Sequence, residues 1–376
     1  MYHNKLAKKC LHVFKKIGIL CSSACVILTA STIMELPHSK LLAQEEVVSQ
    51  SLEAASLFQQ GVMRYNRNDL PAAEYAFRQA LEKDSQLGKA HNYLGNIMLQ
   101  QNRLDLAAQE YSEAIRLNPN LVQAYYNLGV LLQKQGKPEA AISAYRQALV
   151  TDPTMASAQY NLGVVLYEQG RTSEAIAAYK EAANLDQNND KAYFNLAIAL
   201  QQQGELEQAI TAYRQVIKTN PENAVAYNNL GSLLVVQEQT KDAIATYKEA
   251  IRRLPNDTTA YYNLGVTLYN QGELQQANQF LKHAQKKYQE QGDIQQTKKI
   301  GQIIEYIAYV QKQPSLPGTA TANLPKKSPS ENKPTETSIP ANPNQIVEFS
   351  VEQQPTEVIP NTPKTSIEAS ASHMNQ

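Results

Sequence analysis

The sequence predicts an all-α fold, a superhelical solenoid of stacked helix hairpins closed by a C-terminal capping helix. Two observations from the sequence carry this expectation directly. Leucine–small-residue pairs recur every 34 residues, at Leu94-Gly95, Leu128-Gly129, Leu162-Gly163, Leu196-Ala197, Leu230-Gly231 and Leu264-Gly265. Inside each copy the apolar residues follow helical spacing, as Leu128, Leu131 and Leu132 do, and then Ala141, Ile142, Tyr145 and Leu149. A break such as Gly136-Lys137-Pro138 divides the copy into two helices, with the proline suited to the first turn of the second. A hairpin of this size cannot bury its apolar stripe alone, so neighbours must stack.

The N-terminal residues Lys5, Lys8, Lys9, Lys15 and Lys16 precede an apolar stretch from Ile17 to Met34. A positive segment followed by an apolar one is the pattern of an export signal, and the stretch approaches the ~20 residues that span a bilayer. Residues 1–43 are therefore read as a signal peptide or N-terminal membrane anchor, with membrane contact through residues 17–34. Lysines ahead of the stretch stay in the cytoplasm, which places the repeats outside it. Cys10, Cys21 and Cys25 all lie in this segment, leaving the rest of the chain without thiol chemistry.

The repeats occupy residues 54–291. Six good copies run 88–121, 122–155, 156–189, 190–223, 224–257 and 258–291, with small residues in phase at Ala107, Ala141, Ala175, Ala209, Ala243 and Ala277. Tyr111, Tyr145, Tyr179, Tyr213 and Tyr247 follow the first five of these at four residues. Residues 54–87 form a degenerate first copy that keeps Gly61, Ala73, Phe77 and Ala80 but has Gln60 at the leucine position. The series Tyr125, Leu128-Gly129, Ala141, Tyr145, Pro153 resembles the tetratricopeptide repeat family, whose members stack helix hairpins into a right-handed superhelix with the first helices lining its concave wall.

Such an array needs polar ends. Ile300, Ile303, Ile304 and Ile307 share one helical face, so residues 293–312 are read as a capping helix on the last repeat. Residues 313–376, rich in Pro, Ser, Thr and Asn, have too little apolar content to offset ordering entropy and are read as a disordered tail.

An asparagine precedes five of the leucine–small pairs: Asn127, Asn161, Asn195, Asn229 and Asn263. Aromatic residues stand beside most of them, Tyr126, Tyr160, Phe194 and Tyr262. The row resembles the asparagine ladder of the tetratricopeptide domain of O-linked N-acetylglucosamine transferase. That resemblance implies that the five asparagines bond the backbone of an extended peptide, and the four aromatic residues beside them are expected to add apolar surface to the same peptide-binding site. The other reading of the same residues is a set of bonds within or between repeats. Lys89 and Lys191 lie three repeats apart, which disfavours a basic clamp for a terminal carboxylate.

Basic and acidic side chains number 35 each, so no net field draws nucleic acid. The six histidines are scattered, no H-E-x-x-H, G-x-S-x-G or phosphate-loop pattern occurs, and no metal, cofactor or catalytic residue is expected. The function read from the sequence is a non-catalytic adaptor or scaffold, exported or membrane-tethered, that binds a peptide or partner protein on its concave surface. The alternative is a structural scaffold that organises a cell-envelope complex by self-association.

Overall fold

A computed structural model describes residues 38–312, with side chains from residue 49 onward. The expected signal or anchor segment lies almost entirely outside the described residues, and the expected tail wholly so. All fifteen elements among the described residues are helices, and they fall into two compact units. The unit ending at Leu121 holds α1 (His38–Asn66), α2 (Leu70–Lys83), α3 (Gly88–Gln100) and α4 (Leu104–Leu117). The unit beginning at Val122 holds α5 (Val122–Lys134), α6 (Pro138–Thr151), α7 (Ala156–Glu168), α8 (Thr172–Leu185), α9 (Asp190–Gln202) and α10 (Leu206–Thr219). It continues through α11 (Ala224–Val236), α12 (Thr240–Arg253), α13 (Thr258–Asn270), α14 (Leu274–Glu290) and α15 (Ile294–Lys312).

Local chemistry ends each helix where the pattern breaks. The turn inside a hairpin requires one residue in the left-handed region, and glycine fills it at Gly136, Gly170, Gly204 and Gly272. Asn68 and Asn102 take the same place, as asparagine tolerates that conformation, whereas Glu238 at φ 58° adopts it at a steric cost. Side-chain caps start several helices: the carboxylate of Asp69 accepts from the Ala72 amide, and Asn189, Asn223 and Asp257 accept from Ala192, Ala226 and Ala260.

The hairpins close on one recurrent contact. The ring from the second helix lies against a glycine of the first: Phe77 on Gly61, Tyr111 on Gly95, Tyr145 on Gly129, Tyr179 on Gly163 and Tyr247 on Gly231. A Cβ on Gly163 would stand 2.7 Å from Tyr179 Cδ1, and one on Gly231 only 2.4 Å from Tyr247 Cε1. The degenerate copy keeps this pair, while Gln59 and Gln60 are exposed. The in-phase alanines Ala107, Ala141, Ala175, Ala209, Ala243 and Ala277 are fully buried. In α15, Ile300 and Ile307 are buried in the same continuous core as α5–α14, and Ile303 and Ile304 pack partly against it.

The fourth good repeat carries Ala197 where the others have glycine, and there the ring of Tyr213 meets Phe194 at 75°. The equivalent pairs Tyr126–Tyr145 and Tyr160–Tyr179, beside Gly129 and Gly163, are tilted at 52° and 50°. One methyl group is thus accommodated alongside a turned ring. Gly163→Ala should therefore be milder than Gly163→Val, which should overpack the hairpin and lower unfolding free energy by about 1–3 kcal/mol. Denaturant titration of both variants tests this; equal losses would show that the glycine–ring contact does not limit the packing.

Candidate protein-binding surface

On each first helix, positions spaced by three and four residues share a face. In α5 that face carries Gln123, Tyr126, Asn127, Val130, Gln133 and Lys134, and α7, α9, α11 and α13 repeat it 34 residues apart. Its floor is formed by the residues that the sequence marks as peptide contacts. All nine are buried: Asn127, Asn161, Asn195, Asn229 and Asn263 expose at most 8% of their surface, and Tyr126, Tyr160, Phe194 and Tyr262 at most 2%.

The amides bond within the array. Nδ2 of Asn161 donates to the hydroxyl of Tyr126 at 3.0 Å, and Nδ2 of Asn195 to that of Tyr160 at 3.1 Å, each reaching the preceding repeat. Phe194 has no hydroxyl to offer Asn229, whose Nδ2 donates instead to Tyr213 of the preceding second helix at 3.1 Å. Asn228 replaces the aromatic in the following repeat. Its Oδ1 accepts from Asn263 at 3.5 Å, while its Nδ2 donates to the Asp257 carboxylate at 3.0 Å. The series ends at Tyr262, whose buried hydroxyl has no hydrogen-bond partner and whose ring lies 5.8 Å from the Lys299 ammonium. All nine side chains thus form the buried floor of the face, and the hydroxyls of Tyr126, Tyr160 and Tyr213 take up amide hydrogens of Asn161, Asn195 and Asn229.

Burial dominates the electrostatics of the floor. It pushes the Tyr126 phenol up to about 12, against the opposing pull of hydrogen bonds from Ser157 and Asn161. The Tyr262 phenol is likewise pushed up to about 12 by burial, and the Asp257 carboxyl is raised by burial despite three hydrogen bonds to it. Among the described residues, no three His, Cys, Asp or Glu side chains converge as a metal site would require.

What remains accessible lies one turn further along each helix. Val130, Tyr167, Ile198 and Val235 are half-buried on this face, and Val236 is 61% exposed. Lys134, Glu168 and Gln202 are exposed beside them. Val130 and Ile198 stand out in the sequence as neighbours of the asparagines, but Tyr167, Val235 and Val236 were missed. Their signal is the spacing of three and four residues beyond the row of Val164 and Ser232.

Because the Asn161–Tyr126 bond is buried while Ser157 still serves the hydroxyl, Asn161→Ala should lower stability by about 0.5–1.5 kcal/mol, the net worth of one hydrogen bond. In a double-mutant cycle with Tyr126→Phe the second substitution should cost less than it does alone. Strict additivity in denaturant unfolding would show that the two groups are not coupled.

Residues 21–254, more than half of the 376-residue chain, match the family model for the C-terminal domain of cilia and flagella-associated protein 70, and residues 234–299 match a tetratricopeptide repeat model. No curated protein matches the chain. Similar solved structures include YrrB, described as a TPR protein with an unusual peptide-binding site, at 24% identity over 48% of this chain and 93% of that one, with a TM-score of 0.44. MamA is 27% identical over 42% of this chain and 93% of its own, with a TM-score of 0.40. PilF of Pseudomonas aeruginosa is 22% identical over 55% and 94%, with a TM-score of 0.48. With helix hairpins in a 34-residue register and a family model matched over more than half its length, this chain belongs to the tetratricopeptide repeat family, in the group described by the C-terminal domain of cilia and flagella-associated protein 70.

Proposed function

We propose that this tetratricopeptide protein is a non-catalytic adaptor that holds an extended segment of a partner protein across the first helices α5, α7, α9 and α11. The supporting observation is the recurrence of half-exposed apolar side chains, Val130, Tyr167, Ile198 and Val235, on equivalent faces of successive repeats. Apolar contacts of this kind, bordered by Lys134, Glu168 and Gln202, suit a segment with spaced apolar residues and a polar remainder. The buried asparagines act on this surface indirectly, by fixing one repeat against the next beneath it. Ordering a free segment offsets much of the gain, so affinity on the order of micromolar or weaker is expected.

A photoreactive residue placed at 130, 167, 198 or 235 of the full chain tests the reading, with Gln147, Lys180, Arg214 and Lys248, exposed on second helices, as comparison positions. Partner protein should be captured from the first-helix positions. Capture confined to the second-helix positions, or from none, would refute it.

The same proposal places the repeats outside the cytoplasm, on the strength of the five lysines ahead of Ile17–Met34. Among the described residues, no helix is long and apolar enough to cross a membrane. A reporter that works only in the cytoplasm, fused after Gln376, should be silent; an active reporter would overturn export.

A further inference from the structure

We propose that the first-helix face has an occupant within the same chain: the segment of residues 345–351, which competes there with the partner protein. The inference rests on the reading of that face as the binding surface and adds the identity of a ligand. Ten prolines punctuate residues 313–376, but none falls between Pro343 and Pro355. That interval holds Ile346-Val347-Glu348-Phe349-Ser350-Val351, the densest apolar run beyond Lys312. Its residues alternate, so that an extended backbone would bring Val347, Phe349 and Val351 to one side at about 7 Å intervals. Three such groups over about 14 Å suit two neighbouring first helices of the face, at Ile198 of α9 and at Val235 and Val236 of α11, with Glu348 and Ser350 turned away.

Reach is not limiting. Residues 313–345 follow α15, which lies in the same compact unit as α5–α13, and 33 residues span up to about 110 Å at ~3.3 Å each. Packed helices stand roughly 8–10 Å apart, so the whole row of first helices lies within that length. Tethering of this kind supplies an effective concentration on the order of millimolar. A segment whose free affinity is about 100 μM would then fill the face and weaken any competitor about tenfold.

The probe is a labelled synthetic peptide of residues 344–354, titrated against the full chain and against full-length Phe349→Asp/Val351→Asp. The variant should bind the peptide about tenfold more tightly than the unaltered chain, because its own segment no longer competes. Equal affinities would overturn the inference. Adding Val236→Asp, at a position 61% exposed and so tolerant of change, should weaken the peptide's binding to the variant several-fold. A photoreactive residue at 235 should cross-link to residues 345–351 of the same molecule at every protein concentration. A cross-link that forms only as concentration rises, joining two chains, would assign the face to a second copy and overturn the inference. Absence of peptide binding, with partner protein still captured at 130, 167, 198 and 235, would remove this inference and leave the adaptor reading intact. Peptide binding unaffected by Val236→Asp, with partner captured only on second helices, would remove both.

Discussion

The contact of a tyrosine or phenylalanine ring with a glycine that has no Cβ is the constraint on which the rest of the structure depends. It fixes how closely the two helices of a hairpin approach, since a single added carbon at Gly129 would come within 2.6 Å of the Tyr145 ring. Close approach lets the ring be buried entirely, and an aromatic side chain buries more apolar surface than any aliphatic one. The neighbouring alanines serve the same end, as they keep facing backbones near each other at no cost in side-chain entropy. Where Ala197 replaces glycine, the rings of Phe194 and Tyr213 meet at 75°, against 52° and 50° for the two tyrosine pairs beside glycine.

Full burial of so many tyrosines creates a second requirement. Each hydroxyl taken from water needs a partner, because an unmade bond in the interior costs about 1–3 kcal/mol. Among second-helix rings, Tyr111 donates to Asn96 Oδ1 and Tyr145 to Gln133 Oε1 within their own hairpins, whereas the buried Tyr179 hydroxyl has no partner. The first-helix phenols Tyr126 and Tyr160 find theirs in the next repeat, through Asn161 and Asn195. Hydrogen bonds therefore join one repeat to its neighbour along the line that the apolar core already follows, reinforcing the nearest-neighbour coupling of a repeat array.

This division of labour shapes the binding surface. The amides of Asn161, Asn195 and Asn229 are engaged by phenols, and above them the partly buried side chains Val130, Tyr167, Ile198 and Val235 line the first-helix face. Those differ from repeat to repeat while the floor stays nearly constant.

The fold class was legible in the sequence because each of its determinants is local. Leu-Gly at a period of 34 residues, alanine and tyrosine in phase behind it, and the turn glycines specify one hairpin, and repetition supplies the neighbour against which it packs. The helical face of Ile300, Ile303, Ile304 and Ile307 was legible for the same reason. The role of the asparagines was not. Two outcomes were compatible with the same five residues, a bond to a ligand or a bond to the array. The choice between them depends on whether a hydroxyl 35 residues earlier comes within 3.0 Å of the amide. That distance follows from the rotation of one repeat on the next, which no single repeat encodes. Tertiary packing alone places Asn161 completely buried against that hydroxyl and leaves Val236 in solvent.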